Sequence, residues 1–136
     1  MTKEEREKID EEVQKMEDFL TEQEISDDPN QWAWRLTVLN AYMARSGSLL
    51  ALAKYDQDKQ IAEVFIREQK LVSKLPATVA TKYVSAMCFD ENLLVNRLDR
   101  INRDCVHQSD NIRTMISFAK QQMSLEGPAT SSKRVK

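Results

Sequence analysis

Arg97, Arg100 and Arg103 recur at every third residue, and Arg113 and Lys120 follow in the same segment. Asn96 and Asn102 are interleaved with them, and the C-terminal end adds Lys133, Arg134 and Lys136. Guanidinium and amide groups at that spacing can follow a nucleic-acid backbone and donate to successive phosphates. The same residues have an internal use. Asp99, Asp104 and Asp110 sit among them, and Arg100 with Asp104 has the i, i+4 spacing that laces a solvated helix face with ion pairs. A second basic zone comprises Lys54, Lys59, Arg67, Lys70, Lys74 and Lys82, with Tyr55 and Tyr83 beside it. Bases of a single strand stack on exposed aromatic rings. The arginine row has only Phe118 after Phe89, so the second zone is the better place to expect strand contact.

Other chemistry is sparse. His107 is the only histidine. It has no ligand set around it and falls at a solvent-facing position of the helical repeat. Cys105 lies in an apolar stripe and Cys88 follows Met87, which suits buried structural thiols rather than nucleophiles. The two glycines, Gly47 and Gly127, are 80 residues apart and form no phosphate-cradling loop. A di-metal carboxylate bundle needs Glu-x-x-His repeats on facing helices, and one histidine excludes it. The acidic pairs near the N-terminus read as a solvated face rather than a metal site. These residues point away from an enzyme, a cofactor or a small-molecule substrate, and toward surfaces that meet macromolecules.

The elements that carry those surfaces are helices. Two glycines and three prolines in 136 residues are too few for the many turns of a β-rich fold, and 31% charged residues suit long, solvent-lined helices. From Ala77, steps of 3 and 4 select Ala77, Ala80, Val84, Met87, Glu91, Leu94, Leu98, Ile101, Cys105, Gln108, Ile112, Met115, Ala119 and Gln122. Only Glu91, Gln108 and Gln122 are polar, so the repeat predicts one long helix with a narrow coiled-coil-like seam over about 77–125, bending near Phe89-Asp90. Gly127-Pro128 should end it. Upstream, Thr2 and Glu5 have capping-box spacing, and Ile9, Val13, Met16 and Leu20 form a stripe, which predicts a first helix over about 3–24. Asp28 can cap a second helix with Pro29 in its first turn. That helix extends to about Ser73, because Leu75 precedes Pro76 and should leave the helical region. It is apolar on two sides: Trp32, Leu36, Leu39, Met43, Leu50 and Ala53 form one stripe, and Trp34, Val38, Ala41, Leu49 and Leu52 the other. Ser46-Gly47-Ser48 could kink it or admit a close helix.

The expected architecture is therefore an all-α, elongated helical bundle: an acidic N-terminal helix and linker (1–28), a long helical hairpin core (29–126), and a disordered basic tail (127–136). Two long helices and one short one cannot cover all this apolar surface, which predicts a homo-oligomer. Its seam would be Val84, Met87, Leu94, Leu98, Ile101, Cys105, Gln108, Ile112 and Met115, with Gln108 fixing register. Charge is polarised. Residues 1–28 hold four basic and twelve acidic side chains, and residues 29–136 hold sixteen basic and ten acidic. The acidic arm either is a solvated helix or lies across a basic surface. The start MTKEEREKIDEE lacks an apolar signal core and no run of 18 apolar residues occurs, so a soluble, cytoplasmic protein without membrane contact is expected.

The stretch Asn96-Arg97-Leu98-Asp99-Arg100-Ile101-Asn102-Arg103, with Gln108, Ile112, Ile116 and Lys120 after it, resembles the C-terminal helix of small phage recombination mediator proteins. The resemblance covers 25–30 residues. It implies a helical protein of phage or mobile-element origin that assembles into rings and loads a recombinase onto single-stranded DNA. No clear counterpart of that family's earlier basic and aromatic segment stands out, and Lys54-Tyr55 with Lys59 comes nearest. Two functions follow: a non-enzymatic, self-associating assembly or adaptor protein with an unknown protein partner, or a single-strand nucleic-acid-binding accessory. In the latter, Lys54, Lys59, Arg97, Arg100, Arg103, Arg113, Lys120, Lys133 and Arg134 would meet the strand.

Overall fold

A computed structural model describes residues 1–22 and 26–135, with side chains as far as Leu125. The described residues form helices and no strand: α1 (Lys3–Leu20), α2 (Pro29–Arg67), α3 (Gln69–Val72), α4 (Ala77–Met87) and α5 (Phe89–Val135).

The starts of α1 and α2 follow from their caps. Thr2 Oγ1 accepts from the Glu5 amide at 3.2 Å while the Glu5 carboxylate accepts from the Thr2 amide at 2.9 Å, a complete capping box. The Asp28 carboxylate accepts from the Asn30 amide at 3.0 Å, with Pro29 in the first turn. α2 passes Ser46-Gly47-Ser48 unbroken. A Cβ on Gly47 would meet only Asn102 Nδ2, at an ordinary 3.7 Å, so this glycine is required neither for a kink nor for close approach. α2 ends at Arg67, five to six residues earlier than the apolar pattern suggests. Glu68 adopts φ −100°, ψ 18° and the single turn of α3 follows. Pro76 is extended at φ −57°, ψ 149°, and α4 begins behind it.

The expected third helix is two helices. α4 closes at Cys88, one residue before the predicted bend. The Asn92 side chain bridges the break. Its Nδ2 donates to the Ser85 carbonyl at 2.9 Å and to Ser85 Oγ at 3.1 Å, and its Oδ1 accepts from Gln57 Nε2 at 2.6 Å. The Ser85 carbonyl, which already accepts from the Cys88 amide at 3.0 Å, gains a second donor and is tied through Asn92 to α2. The break also displaces one buried position. Ala80, Val84 and Cys88 are buried, whereas Met87, assigned to the seam by an unbroken repeat, is 40% exposed. α5 then carries its helical backbone past Gly127-Pro128, where the sequence predicts a stop. The side chains of 126–136, among them Lys133, Arg134 and Lys136, lie outside the described residues.

α2 and α5 run antiparallel, as three polar crosslinks show: Arg35 to Gln108, Asn102 to Met43 and Gln57 to Asn92. α1 lies along both, antiparallel to α2 and parallel to α5, with Glu12 on Arg45 and Glu17 on Arg97. Its whole stripe, Ile9, Val13, Met16 and Leu20, is buried with Leu39, Leu49 and Ala53 of α2 and Leu94, Val95, Leu98, Ile101, Cys105 and Ile112 of α5. A smaller core joins Val64, Val72, Ala80, Val84 and Cys88 at the α2–α4 end. The seam expected between subunits is thus largely filled within one chain. Val84, Leu94, Leu98, Ile101, Cys105 and Ile112 are buried there, and Gln108 and Met115 are half-buried. α2 supplies most of that cover, and α1 closes the third side of the bundle.

Candidate functional site

The arginine row is mostly committed to internal contacts. Arg97 is half-buried, donates to the Glu17 carboxylate, and reaches Gln14 Oε1 at 3.5 Å. The Glu17 hydrogen bond is the main cause that raises its already high pKa. Arg103 pairs with Asp99 one turn back, and Arg113 with Asp110 at 3.4 Å. The expected Arg100–Asp104 pair does not form. Arg100 and Lys120 are exposed and have no ion-pair partner among the described residues. Asn102 faces inward, donating to the Met43 carbonyl at 3.0 Å and to the buried Ser46 Oγ at 3.1 Å. Only Arg97 is withdrawn from solvent; Arg100, Arg103, Arg113 and Lys120 are exposed, but carboxylates beside Arg103 and Arg113 interrupt the cationic strip.

The acidic helix does lie across basic side chains. Besides Glu17 on Arg97, Glu12 holds Arg45 in a two-pronged pair at 2.6 and 3.0 Å, and Glu22 approaches Arg35 at 3.7 Å. The Arg45 hydrogen bonds pull the Glu12 carboxyl below its ordinary pKa.

Gln108, read as a register residue between subunits, has a partner inside the chain. Its Nε2 donates to the Leu20 carbonyl at 2.9 Å, and its Oε1 accepts from Arg35 at 2.8 Å. Arg35 also donates to the Phe19 carbonyl at 3.2 Å and sits 4.4 Å from the centre of the Phe19 ring. Phe19 in turn packs edge-on to Tyr42 at 5.3 Å and Trp34 at 6.2 Å. Two polar side chains therefore close the C-terminal end of α1, where helix carbonyls lack intrahelical donors. Sequence reasoning missed Arg35. Its signal is a lone cation between Trp34 and Leu36 in an otherwise apolar-rich turn.

Burial pushes the Cys105 thiol up to about 11, with Asp104 adding to the effect, and it raises the Cys88 thiol as well. Neither is poised as a thiolate nucleophile. His107 is exposed. Among the described residues, no group of three or more His, Cys, Asp or Glu side chains could hold a metal ion, and no helix is long and apolar enough to cross a membrane.

Among the described residues, three open surfaces bear on the expected partners. α5 outruns α2: Trp32, in the first turn of α2, packs near Ile112 and Met115, and beyond them Phe118, Met123 and Leu125 are 59, 72 and 80% exposed. At the middle, Lys54 and Lys59 are exposed beside Tyr55, which is itself 70% exposed and borders a groove with Leu52 between α1 and α2. At the far end, Phe65, Ile66 and Leu75 wall a groove over buried Val72 and Ala80. Tyr83 is half-buried against the smaller core and presents no free ring face comparable to Tyr55. No protein-family model, curated protein or solved structure matches the chain.

Proposed function

We propose that the chain is a non-enzymatic, self-associating assembly or adaptor protein, and that copies meet through the free length of α5. One observation carries this reading. Met115, Phe118, Gln122 and Leu125 follow the 3, 4, 3 spacing of a coiled-coil seam on a helix that has run past its intramolecular partner, and two of them are large exposed apolar side chains. An isolated helical extension is marginal in water unless tertiary packing covers its apolar face. A second copy brings the same stripe, so pairing two of them covers both. The buried seam from Leu94 to Ile112 holds each chain together, and the free end makes the assembly.

Light scattering of the intact chain and of Phe118→Glu with Leu125→Glu tests the proposal. The parent should be larger than its 15.8 kDa chain at micromolar concentration, and the double variant should be monomeric with unchanged helicity. Equal masses for the two would refute it.

A second reading, a single-strand nucleic-acid accessory protein as the resemblance to phage mediators implies, draws on Tyr55. An exposed ring flanked by Lys54 and Lys59 is the combination that stacking recognition uses. Binding to a labelled oligonucleotide that falls steeply with salt, and that Tyr55→Ala and Lys59→Ala weaken, would support it. No binding at about 50 mM salt would dismiss it.

A further inference from the structure

We infer that the groove where α2, α3 and α4 meet docks an acidic, amphipathic helical segment of a protein partner. Its walls are Phe65, Ile66 and Leu75, and its floor is the buried pair Val72 and Ala80. Ile66 stands 75% exposed at the lip, and Leu71 and Val79 are exposed nearby. Large apolar side chains gathered in a concavity, rather than scattered singly, mark a binding surface. A row of i, i+3, i+4 apolar anchors from an incoming helix is the ligand such a groove accepts.

Charge selects the occupant. Between residues 64 and 86 the basic residues are Arg67, Lys70, Lys74 and Lys82, and the only acidic residue is Glu68, which Arg67 already approaches at 3.8 Å. The lysines are exposed, and each follows a residue that lines the groove: Gln69, Ser73 and Thr81. An apolar trough with an ammonium rim attracts a helix whose polar face is acidic and repels a basic one. That excludes the free end of α5 from another copy, because residues 111–125 carry Arg113 and Lys120 and no acidic side chain. It also excludes the chain's own α1, whose apolar stripe is buried in the bundle. The apolar part of the lining, Ile66, Val72, Leu75, Ala77 and Ala80, is aliphatic apart from Phe65, which suits leucine-like anchors better than stacked bases.

The inference rests on the reading of this protein as one that acts through surfaces, but not on self-association. Solution mass tests the one and peptide capture the other. The probe is a fluorescein-labelled helical peptide with leucines at i, i+3, i+4 and i+7 and glutamates elsewhere, titrated with the full chain. Micromolar binding is expected. Ile66→Ser and the pair Lys70→Glu with Lys74→Glu should each weaken it at least tenfold, at solvent-exposed positions where the fold tolerates change. A control peptide with lysine in place of glutamate should bind at least tenfold more weakly. Absence of binding, indifference to Ile66→Ser, or equal capture of the lysine peptide would overturn the inference. So would tighter capture of a single-stranded oligonucleotide or of anionic vesicles at the same groove.

Discussion

Leu98→Ala separates a core position from a subunit contact. Leu98 is fully buried where α1, α2 and α5 converge. The substitution removes three carbons, worth about 2.4 kcal/mol at about 0.8 kcal/mol per buried CH₂. The cavity left behind adds to this, because the core that holds Leu98 is drawn from three helices, with Met16, Leu39 and Ile101 one from each, and these cannot all close in together. A total of about 3 kcal/mol lies within the range of roughly 2–5 for buried leucines. At roughly 4 °C per kcal/mol for a chain of this length, the melting temperature should fall by about 12 °C. Urea unfolding followed by helical circular dichroism measures it, at concentrations low enough that only monomer is present. A loss under about 1 kcal/mol in the monomer would refute the placement. It would mean that Leu98 is covered by another subunit and lies bare when the chains separate.

Other perturbations follow from single contacts. Gly47→Ala should stabilise by up to about 1 kcal/mol in the same urea assay, since Ala is the better helix former and its methyl meets Asn102 at an ordinary distance. A loss of stability would show that α5 approaches more closely there. Cys105 should resist iodoacetamide at pH 8 until the chain is unfolded, as read by intact mass. Its folded pKa stands above the ordinary thiol value of 9.0, so the native state keeps a proton that the unfolded chain releases. This group's contribution is fully present below pH 9.0 and is lost as pH rises toward about 11. A Cys105→Ser chain should lose less stability over that window. Glu12 has the opposite sign. Its folded pKa lies below the ordinary carboxylate value, so its contribution exists above that value and disappears as pH falls through the depressed one. The Arg45–Glu12 pair is largely exposed, so Glu12→Gln should cost at most about 1 kcal/mol at neutral pH and nothing in acid.

Local signals in the sequence identify the starts of α1 and α2 correctly, because the caps are contacts within three residues: Thr2 with Glu5, and Asp28 with Asn30. The α1 stripe is also legible, since burial of Ile9, Val13, Met16 and Leu20 needs only a partner surface and not its identity. Periodicity fails at the helix break, where Cys88 replaces Met87 in the core and the repeat resumes unchanged at Leu94, and nothing in a 3, 4 pattern marks that single exchange. It also says which side chains are buried but not against what. The residues assigned to an oligomer seam are covered by α2 and by α1, and the docking of α1 depends on Arg35, Arg45 and Arg97 meeting it across 16 to 80 residues of sequence. Trp34 and Leu52, placed on a second buried stripe, are exposed because α2 has helices along one side only. The arginine row shows the same limit: its spacing is visible, but whether each member faces solvent or a carboxylate is decided by α1 and by Asp99.

The claim that copies of this chain assemble through the free end of α5 is tested most directly by mass in solution. Sedimentation or light scattering across a concentration series should give a species larger than 15.8 kDa at micromolar concentration, reduced to that mass by Phe118→Glu with Leu125→Glu. A compact monomer throughout the series would contradict the account.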